Sequence, residues 1–244
     1  MVAMLASCGG TGAKKAAEND ANTIVLFDGT SLEGWRGYNK DHVPSRWTIE
    51  DGCLKFSGSG GGEAQTGEGG DIIYAAQKFK NFELELEWKI SKGGNSGIFY
   101  LAKESATISK DGKIQYQPIY VSCPECQVLD NERHPDAKLG ATLGIRQSTS
   151  LYDMIVAEPQ NANPAGEWNK IKIVVKNGNI THYQNGVKVL SYKLWGKEWI
   201  DLLQKSKFSE KSWPIAFELL KNCGGEAQKG YFGCQDHGDE VWFR

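Results

Sequence analysis

Nine consecutive residues, Phe82-Glu83-Leu84-Glu85-Leu86-Glu87-Trp88-Lys89-Ile90, carry an apolar side chain at every even position and a charge at every odd one. An extended backbone puts alternate side chains on opposite faces, so this run predicts a strand with one face in a core and the other in water. The three glutamates then read as a solvated sheet face rather than a catalytic row. Similar runs recur. Ile171 to Lys176 is followed by Asn177-Gly178, Ile180 to Gln184, Asn185-Gly186 and Val187 to Leu190. Asn-Gly accepts positive φ at both central positions of a type I′ turn, so residues 170–192 read as a three-strand meander. Asp51-Gly52 marks a further hairpin between Trp47–Ile49 and Leu54–Phe56.

One short helix is expected between residues 194 and 205, where Leu194, Trp195, Trp199, Leu202 and Leu203 recur at helical spacing. Residues 57–70, rich in Gly, Ser and Glu, read as a mobile loop. With no repeat period and no boundary after residue 23, residues 24–244 read as a single all-β domain, a two-sheet sandwich or jelly roll. The 29 glycines and 8 tryptophans among 244 residues suit turn-rich β structure and equally suit aromatic stacking on sugar rings. With 28 basic and 30 acidic residues and no basic block, the chain lacks the charge signature of a nucleic-acid binder. No apolar run approaches the roughly 18 residues of a membrane-spanning helix.

The N-terminus reads as an address. Leu5-Ala6-Ser7-Cys8 resembles a bacterial lipobox, in which lipid is attached to the cysteine. Residues 1–23 are therefore expected to be a signal remnant followed by a flexible tether. Cys8 is the expected lipidation site, and the periplasm or cell surface the expected location. Only seven residues precede Cys8 and none is basic, so the start is expected to be truncated. The five other cysteines are an odd number, which does not make a disulfide framework, although one bridge is compatible with the periplasm. Cys123-Pro124-Glu125-Cys126 has no second CxxC to complete a zinc site.

Two segments place polar residues where a ligand surface could use them. In Glu125-Cys126-Gln127-Val128, Cys126 and Val128 share one face and Glu125 and Gln127 the other. In Phe232-Gly233-Cys234-Gln235-Asp236-His237, Phe232 and Cys234 point one way and Gln235 and His237 the other. On a curved sandwich these pairs could share a concave groove, or each could be plain surface polarity. His182 is expected to be a surface or partly buried strand histidine. The loop Asn131-Glu132-Arg133-His134-Pro135-Asp136 is dense in possible sugar or metal ligands, or is simply a turn held by Asn and Pro. Asn95, in the turn sequence Gly93-Gly94-Asn95-Ser96-Gly97, could reach a ligand.

These stretches also carry a resemblance. Leu26-Phe27-Asp28-Gly29 with Gly34-Trp35, Asn81-Phe82-Glu83-Leu84, Asn95-Ser96-Gly97-Ile98, Glu125-x-Gln127-Val128-Leu129-Asp130-Asn131, Ser150-Leu151-Tyr152-Asp153, Gly166-Glu167-Trp168-Asn169, Asn185-Gly186 and Gln235-Asp236-His237-Gly238 occur in one order over residues 24–244. In this the chain resembles the 3-keto-disaccharide hydrolases, a family also described as 3-keto-glycoside lyases and 3-keto-2-hydroxyglucal hydratases. The loop at Arg133–Asp136 and the Trp195 helix resemble versions common in Bacteroidota. The resemblance implies a concanavalin-like jelly-roll β-sandwich. There are departures. Cys123, Cys126 and Cys234 stand where other small or apolar residues are usual, and Leu101 where arginine is frequent. Family members continue past Phe243-Arg244 with a last strand, so an edge strand is expected to be cut short.

The implied substrate is an oxidised, 3-keto disaccharide or glycoside. Its C3 ketone acidifies the C2 proton, so a base can form an enolate that expels the aglycone from C1. Water can then add to the 2-hydroxy-3-keto-glucal. Such chemistry needs a base, an enolate stabiliser and an acid for the leaving oxygen. On this reading Glu125 and His237 form the acid/base pair, and Asp236 orients the histidine or binds a metal. Gln127, Gln235, Asn95, Arg133 and Tyr152 bind substrate. A divalent ion near Asp130, His134 and Asp136 could polarise the ketone. Two alternatives stay open: a conventional retaining glycosidase and a non-catalytic carbohydrate-binding lipoprotein. The glycosidase needs a second carboxylate two or four positions beyond Glu125 on the same face, where this chain has Gln127 and Leu129.

Overall fold

A computed structural model describes residues 2–3, 22–58 and 68–244. Cys8, most of the expected tether and most of the 57–70 loop lie outside the described residues. The strands used below are β1 (Trp35–Gly37), β2 (Trp47–Glu50), β3 (Cys53–Ser57), β4 (Ile72–Phe79), β5 (Phe82–Ile90), β6 (Asn95–Ala102) and β7 (Glu125–Leu129), then β8 (Asn169–Lys176), β9 (Asn179–Gln184), β10 (Val187–Lys193), β11 (Gly230–Cys234) and β12 (Glu240–Phe243). They form two facing antiparallel sheets. The larger runs β10-β9-β8-β5-β12-β3-β2, and the smaller runs β7-β6-β11-β4-β1. Short parallel pairings of Val2–Ala3 with Ile24–Val25 and with Leu84–Glu85 add to the larger sheet. A separate hairpin joins Ala106–Ile108 to Ile114–Tyr116. The fold is the expected jelly-roll sandwich.

The alternation in β5 is observed residue by residue: Phe82, Leu84, Leu86, Trp88 and Ile90 are buried. On its other face Glu83 pairs with Lys172 at 2.6 Å, Glu85 with Lys170 at 3.1 Å and Glu87 with Arg244 at 2.6 Å. The glutamates therefore form a cross-strand ion-pair ladder on the outer surface. Asn177-Gly178 and Asn185-Gly186 both have positive φ at the two turn positions, which fixes the register of the meander. The last strand, β12, is internal to its sheet, with β5 on one side and β3 on the other.

Two sequence expectations need correction. The helix expected over 194–205 is α1 (Lys197–Lys205), and a second helix, α2 (Pro214–Lys221), follows it. Pro214 at the first helical position, with Ala216, Phe217 and Leu220 buried, is the signal that marks α2. Trp199 ties the pair to the sandwich: its ring stacks on Tyr192 at 5.8 Å, and its indole N–H donates to the Leu220 carbonyl at 3.0 Å. His182 is fully buried rather than superficial. Thr149 carbonyl oxygen, 3.0 Å away, can only accept, so His182 Nδ1 carries the proton. Nε2 then accepts from the Tyr100 hydroxyl at 2.8 Å, and that hydroxyl in turn accepts from Tyr192.

Strand β6 is buried at every position because the core covers one face and other segments cover the second. On the smaller sheet Glu125 lies opposite Phe99 and Gln127 opposite Gly97, while the N–H of Gln235 donates to the Gly97 carbonyl at 2.9 Å. Gly97 thus sits between Gln127 and Gln235.

Candidate active site

A cavity of about 150 Å³ opens above Gly97. Asn95 from β6, Glu125 and Gln127 from β7, and Gln235 just beyond β11 form its floor. Tyr120, Tyr152, Lys207, Trp213 and His237 form its walls. A Cβ on Gly97 would stand 2.5 Å from Glu125 Oε1, so glycine here makes the room that the carboxyl group occupies. Cys126 and Val128 point into the core, as strand alternation requires. Three larger grooves lie among the described residues, about 910 Å³ beside α1 and α2, about 970 Å³ beside Arg36 and about 380 Å³ beside Gly34 and Tyr74. Size does not decide between the four, because the unmet hydrogen-bonding groups concentrate in the smallest.

Four buried side-chain polar atoms among the described residues lack a hydrogen-bond partner: Trp88 Nε1, Asn95 Oδ1, Gln127 Nε2 and Gln235 Oε1. The last three belong to the floor of this cavity. An unpaired buried polar group costs about 1–3 kcal/mol. Three around one cavity mark a surface built to meet hydroxyl and carbonyl groups of a ligand. The amide Nδ2 of Asn95 lies 3.3 Å from His237 Nε2. Burial holds the His237 imidazole below its ordinary pKa.

The remaining candidates fall elsewhere. Asp236 is fully buried, with Oδ2 accepting from the Gly70 N–H at 2.7 Å and Oδ1 from the Gly238 N–H at 2.8 Å. Its carboxylate clamps two loops and has no bond to His237. Arg133 lies outside the cavity and pairs with Asp130 at 3.3 Å and Glu132 at 3.1 Å. Tyr152 lines the cavity with its ring, while its hydroxyl donates to Asp136 Oδ2 at 2.9 Å. Leu101 is buried and does not line the cavity. Cys123, Cys126, Cys223 and Cys234 are free, buried thiols, and burial pushes them above the usual thiol range.

Asp130, His134 and Asp136 do not converge on one point. Asp130 accepts from the Gly93 N–H at 2.7 Å and from Arg133, while Asp136 holds Arg146 at 2.8 Å and Tyr152. Among the described residues the possible ligand group is instead His134, His237 and Asp239, with ligand atoms within 4.8 Å of one another. His134 fits a metal poorly. Its Nδ1 accepts the Asp136 N–H at 3.1 Å, which puts the ring proton of the neutral form on Nε2, the remaining atom a metal would need.

Sequence patterning missed Tyr120, Lys207 and Trp213. Lys207 and Trp213 lie on the connection between α1 and α2, where no periodicity points at a cavity. The backbone N–H of Lys207 donates to Asp153 Oδ2 at 2.8 Å, and Asp153 Oδ1 accepts from Arg146 Nε at 2.7 Å. Arg146 also bonds Asp136, the acceptor of Tyr152. One network therefore fixes two walls.

The fold and site define a jelly-roll β-sandwich with a polar ligand cavity on its smaller sheet. Residues 22–244 match the 3-keto-alpha-glucoside-1,2-lyase-like domain, and the chain belongs to that family. It is 64% identical over 238 residues to the 3-keto-disaccharide hydrolase of Bacteroides thetaiotaomicron, covering 94% of this chain and 81% of that protein. The crystal structure of a candidate glycosyl hydrolase from Parabacteroides distasonis is 26% identical, with a TM-score of 0.70 over 90% of this chain and 89% of that one. A second from the same species, 24% identical with a TM-score of 0.54 over 91% and 80%, shares the fold.

Proposed function

We propose that this protein cleaves 3-keto-glycosides by elimination across C2 and C1, followed by addition of water. The observation that carries the reading is the makeup of the cavity: Glu125 is the one carboxylate lining it among the described residues, surrounded by three amides with unmet bonds. A conventional glycosidase needs two carboxylates flanking the scissile bond. A single base suffices when a neighbouring ketone acidifies the proton. The name of the B. thetaiotaomicron relative agrees with this substrate class.

Glu125 removes the C2 proton, and the freed electron pair makes an enolate on the C3 oxygen. The enolate re-forms the ketone as C1=C2 is made and the C1–O bond breaks, and His237, in its imidazolium form, protonates the departing oxygen. Water then adds at C1, giving a proton back to His237, while Glu125 returns its proton to C2. The net change is hydrolysis. Gln127 donates to, and Asn95 and Gln235 accept from, the oxygens of the one ring the cavity has room for. The protein is further proposed to be lipid-anchored through Cys8 at the periplasmic face or cell surface. A Cys8→Ser variant of a lipid-anchored protein moves from the membrane to the soluble fraction, and an unchanged distribution rejects the anchor.

The decisive assay offers a plain glucoside and its 3-keto form to wild type and to Glu125→Gln. Cleavage of the keto form alone, lost by about 1,000-fold in the variant, is expected. Cleavage of the plain glucoside, or an unaffected variant, rejects the proposal.

A further inference from the structure

We propose that the ammonium group of Lys207 stabilises the enolate oxygen in this reaction, an assignment that rests on the elimination reading above. Three observations lead to it. Lys207 shares the small cavity with Glu125, Gln127, Gln235 and His237. Among the described residues no carboxylate closes on it as an ion pair, and its Nζ makes no hydrogen bond. It stands instead over the ring of Tyr152, 4.3 Å from the centroid, with Phe208 at 5.0 Å and Tyr120 at 6.0 Å.

A cation taken from water is costly to hold, and Glu125, Asp153 and Asp136, acting from beyond ion-pair distance, offset only part of that cost. The aromatic faces offset part of that cost and leave the N–H donors free. The backbone is not free to retreat, because the Lys207 N–H is bonded to Asp153 within the Arg146–Asp136–Tyr152 network. A fixed, partly dehydrated cation with unused donors is suited to charge that appears only as a reaction proceeds.

In the step concerned, the C2–H bond breaks to Glu125, its electron pair forms C2=C3, and the carbonyl pair moves onto the C3 oxygen. Lys207 stays protonated and donates a hydrogen bond to that oxygen. When the ketone re-forms and the aglycone leaves C1, the bond weakens again. Lys207 therefore lowers the barrier to both halves without changing its own proton count.

The test compares wild type, Lys207→Met and Lys207→Arg on a 3-keto-glucoside. The readouts are kcat, KM, thermal midpoint, and exchange of the C2 hydrogen in deuterium oxide. Lys207→Met is expected to lose about 100-fold or more in kcat, with C2 exchange slowed in parallel. KM should change by less than about threefold, and the thermal midpoint should be unchanged or higher because a dehydrated charge is gone. Lys207→Arg should recover part of kcat. A Lys207→Met enzyme with normal kcat, or with only KM raised, overturns the assignment while leaving the elimination reading intact. A wild type inactive on every 3-keto-glucoside overturns both.

Discussion

The buried histidine of the meander makes acid stability a sensitive test of the packing around it. His182 has its pKa lowered from 6.5 to about 4 by burial, the Thr149 carbonyl bond opposing the shift only in part. A group whose folded pKa is depressed takes up more protons when unfolded. The stability it contributes is thus fully present above pH 6.5, is lost as pH falls, and is gone below about 4. The gap is about 2.5 pH units, which at about 1.4 kcal/mol per unit is about 3 kcal/mol. Geometry gives the cause. Protonating Nε2 would turn the acceptor of the Tyr100 hydroxyl into a second donor and break the Tyr192–Tyr100–His182–Thr149 chain. The measurement is urea unfolding of wild type and His182→Leu between pH 7.5 and 4. All other titrating groups are shared, so the stability difference between the two should shrink by about 3 kcal/mol over that range. Parallel pH profiles would refute the reasoning. Should His182→Leu not fold, the ring protons of His182 in the wild type should titrate near 4, and a midpoint at 6.5 carries the same refutation.

Three further outcomes are expected. Gly97→Ala places a Cβ 2.5 Å from Glu125 Oε1 without demanding an unusual φ. The protein should fold with little loss of stability while kcat on a 3-keto-glucoside falls by about 100-fold through displacement of the carboxyl group. Gln235→Met removes an acceptor with no partner, so it should raise unfolding stability by up to about 1 kcal/mol while lowering kcat/KM, and a loss of stability would count against the idle-acceptor argument. Trp199→Ala empties a fully buried site and should cost about 3–5 kcal/mol by calorimetry or denaturation.

The fold was legible because its strongest signals are local. The alternation of β5 and the paired Asn-Gly turns each encode geometry within a few residues, and both reappear with the expected faces and register. Part of the floor of the cavity was legible for the same reason, since Glu125 and Gln127 are separated by one core residue, Cys126. What was not legible is relational. Nothing near Asp236 says that its two oxygens are taken by Gly70 and Gly238, more than 150 positions away for the first. Nothing near His182 announces Tyr100. Asp130 and Asp136 looked available because Gly93, which donates to the first, and Arg146 and Tyr152, which bond the second, lie outside their loop. Lys207 and Trp213 went unnoticed because a connection between helices carries no period.

The contrast between floor and walls has a consequence for how this enzyme could be altered. The floor is woven into sheet hydrogen bonds, so changing it means changing the sandwich. Two of the walls come from a 206–213 link between helices, of which α1 stacks Trp199 on Tyr192 of the sandwich. That link is anchored by the Lys207 N–H bond to Asp153 and by the buried Phe208, and its cavity-facing side chains, Lys207 and Trp213, can be exchanged singly while the strands beneath keep their register. Substitutions meant to change what the cavity accepts should therefore begin at Trp213 on the link rather than at the sheet.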